Sequence, residues 1–136
     1  MIVNDGGRAK AGFKGVAGDC VTRAIAIAAE IDYLTVYDAL NSLTAARRSR
    51  GKRSSARTGV PPVITRQYLD ALGWRWTPTM GIGTGCTVHA RRDELPSGRL
   101  ILRLSRHCVA MIDGVIHDTY DPTRGGTRCV YGYWQK

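Results

Sequence analysis

No apolar run in this 136-residue chain reaches the roughly 18 residues that would span a bilayer. The longest candidate, starting near Cys20, is broken by Glu30 and Asp32. A secretory signal is missing too, because Met1-Ile2-Val3 runs into Asn4-Asp5-Gly6-Gly7 rather than a basic stretch and an apolar core. Cysteine is sparse: four residues, at 20, 86, 108 and 129, fall short of a Cys-rich secreted scaffold. Reduced thiols, no cofactor and a cytoplasmic location are therefore expected. The chain also lacks a zinc-finger ligand pair, a sheet RNA-binding signature and a glycine-rich phosphate loop ending in Lys-Ser or Lys-Thr. Acidic residues are outnumbered, 11 against 20 Lys and Arg, for a net charge of +9, which draws in acidic partners without naming one. Membrane-spanning, collagenous and disordered classes are excluded, leaving a small enzyme, a nucleic-acid binder or a structural accessory protein.

What is present suits one domain. With 43% of residues apolar and 23% charged, the chain is rich enough for a single core. At this size about two thirds of the extended-chain surface is buried on folding, without any need for disulfide staples. Five glycines, at 6, 7, 12, 15 and 18, make the entry loop-like. Asp19 is a candidate N-cap for an alanine-rich helix over 20–29, with Val21, Ala24, Ile25 and Ala28 at helical spacing. A weak capping box at Thr35 and Asp38 opens a second helix ending near Ala46, with Val36, Leu40 and Leu43 on one stripe. Residues 44–58 carry six basic side chains and no acidic one, Arg47, Arg48, Arg50, Lys52, Arg53 and Arg57, which favours a solvated, mobile insertion. A third helix is expected over 65–72, stopped by Gly73.

Beyond Gly73 the pattern turns sheet-like. Strands are expected at 74–77, 99–104, 107–112, 115–120 and 130–134, with Asp113-Gly114 as a two-residue hairpin turn. Helices first and strands second predict an α+β domain, N-terminal helices packed on a C-terminal antiparallel sheet.

Cys20, in the first turn of a helix, sits where converging N–H groups favour the thiolate, though a buried, inert thiol fits the same letters. His107 opens a strand, so its imidazole can emerge at a sheet edge. A turn at Asp113-Gly114 makes paired positions sum to 227 (113 + 114), which sets Val109 opposite Asp118 and puts Asp118 diagonal to His107 on one face. A nucleophile, a base and an orienting carboxylate are then in order: Cys20, His107, Asp118.

Gly18-Asp19-Cys20, His107 and Asp118 in this chain order resemble the papain-like cysteine peptidase superfamily, particularly its small C39-like domains. The segment Val115 to Pro122, with the later Tyr131-Gly132-Tyr133-Trp134, is also similar to small phage and prophage proteins of papain-like type. The resemblance implies a cysteine-dependent hydrolase or peptidase acting on a peptide, isopeptide or other amide bond through an acyl-thioester. It implies a peptide or protein substrate, and host-cell cytoplasm or virion as the location if phage-derived. C39-like domains place the acid in an Asp-Pro element, nominating Asp121; hairpin parity favours Asp118. The family's Gln ahead of the nucleophile is missing, Lys14 standing six positions before Cys20. The Cys20 N–H, Asn4 and Lys14 are candidate oxyanion donors, and Asp19 is a loop candidate or a simple cap.

Two further patterns compete. Cys86-Thr87-Val88-His89 has the spacing of half a metal site, but no second compact ligand pair accompanies it, so no metal is expected and scattered thiols are preferred. Cys108, opposite in strand parity to His107, is expected on the other face. The basic segment and the aromatics at 74, 76, 131, 133 and 134 suit phosphate contact and base stacking. The non-enzyme alternative is thus a basic nucleic-acid-binding or phage structural accessory protein, or a papain-like domain that binds without turnover.

Overall fold

The computed structural model describes residues 1–13, 18–47, 56, 59–81 and 83–136. Lys14, Arg48, Arg50, Lys52, Arg53 and Arg57 lie outside them, as does the side chain of Arg47. In chain order the elements are β1 (Ile2–Val3), α1 (Cys20–Ala29), α2 (Tyr33–Arg47), α3 (Pro62–Ala71), β2 (Arg75–Pro78), β3 (Arg99–Leu104), β4 (His107–Ile112), β5 (Val115–Asp118) and β6 (Gly132–Gln135). Among the described residues the fold is α+β, three α-helices and one six-stranded sheet of order β1-β5-β4-β3-β6-β2. No helix among the described residues is long and apolar enough to cross a membrane.

The sheet is mixed, not purely antiparallel. β1 pairs parallel to β5 with Ile2 against His117 and Val3 against Asp118, although the glycine-rich entry gave no reason to expect an element. Two residues are too short a strand to announce themselves, and only an existing β5 edge supplies their partners.

β3 and β4 are near-continuous apolar runs because both sheet faces are covered. On one face Ile101, Cys108, Ala110 and Trp134 pack with the helices, around Ile25, Val36, Leu40 and Leu69. On the other, Leu100, Leu102, Val109, Met111 and Val130 close over Ala90, with Val88 and Leu95 at the margin. α1 is apolar almost all round and buried from Val21 to Ala28, as a helix sandwiched between a sheet and another helix must be. It ends at Glu30 in the left-handed region, φ 56°, whose N–H returns to the Ala26 carbonyl.

Several boundaries move for identifiable reasons. α2 begins two residues before Thr35, with the Val36 N–H on the Asp32 carbonyl at 3.1 Å, so Thr35 lies inside the helix and not at its cap. α3 starts at Pro62, whose missing N–H costs nothing in a first turn. β6 starts at Gly132 because Val130 and Tyr131 give their N–H groups to Val88 and Arg103, each at 2.8 Å. A Cβ at Gly132 would collide with the Trp76 indole. Residues 44–47 belong to α2, and Ala56 is fully buried, not solvated. Thr22 Oγ1 donates to the Ala56 carbonyl at 2.7 Å and the Ala56 N–H donates to Asn41 Oδ1 at 2.9 Å.

Asp113 and Gly114 form the β4–β5 turn at φ 48° and 80°, both left-handed as a type I′ hairpin requires. The register is Ala110 with His117, Met111 with Ile116 and Ile112 with Val115.

Cys86 and Cys129 are joined in a disulfide across 43 residues, which corrects the expectation of four reduced thiols; Cys20 and Cys108 are free. The residues meet because His89 forms an isolated antiparallel bridge with Cys129.

Candidate active site

Three segments converge at one end of α1. Cys20 is the first residue of the helix and half-buried, so its thiol stands at the positive end of the helix dipole, among N–H groups without intrahelical partners. His107 is the first residue of β4, delivered by a tight Ser105-Arg106 turn in which Arg106 takes φ 55°. Asp118 is the last residue of β5.

The structure brings Cys20, His107 and Asp118 together. His107 Nε2 and Asp118 Oδ2 are 2.7 Å apart, in a setting where His107 is 7% and Asp118 3% exposed. With Nε2 held by the carboxylate, Nδ1 is the ring nitrogen left for the Cys20 thiol, with which His107 interacts electrostatically across a shared cavity. Asp118 Oδ1 also accepts the Thr119 N–H at 2.7 Å. Asp121 is elsewhere: its Oδ1 accepts the Thr123 N–H and hydroxyl at 2.9 and 2.7 Å, shaping a turn.

The electrostatics follow from these contacts. The Cys20 thiol is lowered to about 4, first by a hydrogen bond with the Cys108 thiol, against the opposing effect of burial, and then by hydrogen bonding and charge from His107. Burial alone would push His107 down, yet the Asp118 and Cys20 hydrogen bonds outweigh it and raise the ring to about 9. Cys108, fully buried, is raised well above the ordinary thiol range by the same contact with Cys20. Between these limits the favoured state is a Cys20 thiolate beside a His107 imidazolium, with Cys108 keeping its proton.

Cys108 and Arg23 are absent from the sequence-derived site. Strand parity does turn Cys108 from Val109 and Met111 onto the helix-covered face. That face carries Cys20, so Cys108 enters the site where it was expected to leave it. Arg23, one helical turn beyond Cys20, is 8% exposed and reaches both Asp118 Oδ1, at 3.3 Å through Nη2, and Asp19 Oδ1 through Nη1. The i, i+4 spacing of Asp19 and Arg23 was the available signal.

Asp19 is not a side-chain cap. Its carboxylate makes no bond to the helix N–H groups; it takes Arg23, Arg8 Nε at 3.2 Å and the Tyr33 hydroxyl at 2.6 Å. A buried carboxylate so placed donates nothing to an oxyanion. Asn4 fails in the same role: its Oδ1 accepts the Gly6 N–H at 2.9 Å, its Nδ2 lies 3.3 Å from His117 Nδ1, and its N–H ties β1 to the Asp118 carbonyl at 3.0 Å. Of the sequence-derived donors among the described residues, the Cys20 N–H remains.

A cavity of about 420 Å³ opens over Cys20 and His107, lined also by Gly18, Arg103, Arg106 and Cys108 among others, with Asp118 buried behind the ring. Tyr120, half exposed, sets its ring 5.5 Å from the His107 ring. A second cavity of about 620 Å³ shares Arg103 and Cys108 with the first and is walled by Trp76, Pro78, Met80 and Trp134. No carboxylate lines either cavity among the described residues. Comparison of the chain with protein-family models, with curated proteins and with solved structures returns no match.

Proposed function

We propose that the protein is a cysteine-dependent hydrolase of the papain-like kind, cleaving a peptide or other amide bond through an acyl-thioester. The observation that carries this reading is His107, held at Nε2 by Asp118 and lining one open cavity with Cys20, which stands at a helix N-terminus. A structural thiol needs neither a clamped imidazole nor access to solvent.

In the proposed cycle the Cys20 thiolate attacks the carbonyl carbon, and the negative charge passes to the carbonyl oxygen, facing the Cys20 N–H at the end of α1. The His107 imidazolium gives its Nδ1 proton to the departing amine. The neutral ring then takes a proton from water, which attacks the thioester and releases the acid. Asp118 keeps the ring oriented and stabilises its cationic form, as a buried carboxylate does in other nucleophile, histidine and acid sites. The adjoining apolar cavity suits a large side chain flanking the scissile bond, and Arg103 between the two cavities suits an acidic or carboxylate group.

Thiol-directed acyl probes with mass mapping test the reading on the intact chain, Cys20→Ala and His107→Ala. Labelling confined to Cys20 and lost on His107→Ala is the expected result. Equal labelling of every accessible thiol, independent of His107, overturns it.

A further inference from the structure

On the far side of the helix-distal core, the Cys86–Cys129 pair is accompanied by His89, and the two sulfur atoms and one ring nitrogen all lie within 4.8 Å of one another. His89 is built in from behind. Glu94 Oε1 receives the His89 backbone N–H at 3.3 Å and stands 3.1 Å from His89 Nδ1. Its other oxygen faces Arg91 Nε at 3.6 Å. With Nδ1 turned to Glu94, Nε2 is the ring nitrogen that faces the sulfur pair. His89 Nε2 stands 3.5 Å from Cys86 Sγ.

Zinc bound by thiolate at about 2.3 Å and imidazole at about 2.0 Å in tetrahedral geometry separates sulfur and nitrogen by roughly 3.5 Å, the separation already present. A carboxylate behind a ligating histidine, fixing the tautomer, is the usual outer-sphere support of such a site. The two sulfur atoms have to part to roughly 3.8 Å. Cys86 is exposed and follows Gly83 and Gly85, both at positive φ, in the segment that has to move.

We propose that Cys86, Cys129 and His89 form, once reduced, a binding site for a thiophilic divalent cation of the zinc type, with Glu94 orienting His89, and that the disulfide is the metal-free oxidised state of the same site. A dithiol reductant supplies two electrons and two protons to the S–S bond and becomes a disulfide itself. The cation then displaces both thiol protons to solvent. The site also closes the segment that carries Met80 and Gly81 into the larger cavity, tethering one cavity wall in either redox state.

Cobalt(II) is the probe, titrated into the full chain after reduction with a phosphine and removal of metal. One cobalt per chain is expected, with a near-ultraviolet thiolate-to-metal band and tetrahedral visible bands. Cys20→Ala should bind identically, while Glu94→Gln and His89→Ala should each weaken binding tenfold or more with the fold retained by circular dichroism. The oxidised chain should bind none. No stoichiometric binding by the reduced chain, unchanged affinity in His89→Ala, or loss of binding in Cys20→Ala each overturns the proposal.

Discussion

Arg23 Nη2 lies 3.3 Å from Asp118 Oδ1, so the carboxylate that holds His107 is itself held by a cation from the helix that begins at Cys20. Asp19, Arg8 and Tyr33 extend the same network. Helix and hairpin are thereby locked together at the end where nucleophile and base meet, by largely buried groups of opposite charge.

Arg23→Met keeps the aliphatic stem and removes the charge, leaving Asp118 and Asp19 short of a buried cation. Loss of one member of a buried charge pair typically costs about 3–5 kcal/mol, and urea unfolding should show a fall of that order. A change below about 1 kcal/mol would mean that the network contributes little beyond what Arg8, Tyr33 and His107 restore.

Asp118→Asn and Asp121→Asn separate the two acids by function. Asp118→Asn should lower kcat/KM at least about a hundredfold, in the range that positioned acid–base groups supply, and should lower the pKa of His107. Asp121→Asn loosens only its turn at Thr123 and should leave turnover within a few-fold. Equal effects of the two would remove Asp118 from the proposed role.

Activity should trace a plateau bounded on both sides. Cys20 is an acid whose pKa is lowered to about 4, so its thiolate persists above that pH. His107 is a base raised to about 9, so its cation persists below that pH. Their product is greatest between the limits, and the two apparent values belong to the pair. Iodoacetamide at pH 5.5, with mass mapping, should alkylate Cys20 while ordinary thiols stay protonated. A Cys20 that reacts only above pH 8 would contradict the ion pair.

Cys108→Ala tests the thiol donor. A hydrogen bond to a charged group contributes about 1.5–3 kcal/mol, or about one to two pH units, so the acid limb of Cys20 alkylation should move up by that amount. The alkaline limb should change less, because Asp118 still holds His107. No movement of the acid limb would leave Cys108 as packing alone.

Some of this arrangement was readable from local signals. Alanine-rich periodicity after Gly18-Asp19 set the start of α1 at Cys20, and Asp113-Gly114 set a turn whose parity aligned His107 with Asp118. Other parts had no local signature. Arg23 meets Asp118 across 95 residues, and Ile2-Val3 becomes a strand only on the edge of β5. Asp19 looked like a cap because Asp before a helix commonly is one; the buried Arg23 offered its carboxylate a stronger partner than the helix N–H groups.

The sequence by itself determined the class of fold, the helix that starts at Cys20 and the hairpin that spans His107 to Asp118, because helix periodicity, strand alternation and turn chemistry are encoded over a few residues at a time. Only the tertiary structure decided which thiol would neighbour Cys20, which cation would bind Asp118, and that Cys86 would meet Cys129 beside His89. Those choices depend on how α1 lies across β4 and how the chain closes after β2. They are made when separate elements bury a common surface, a step no short window of sequence contains.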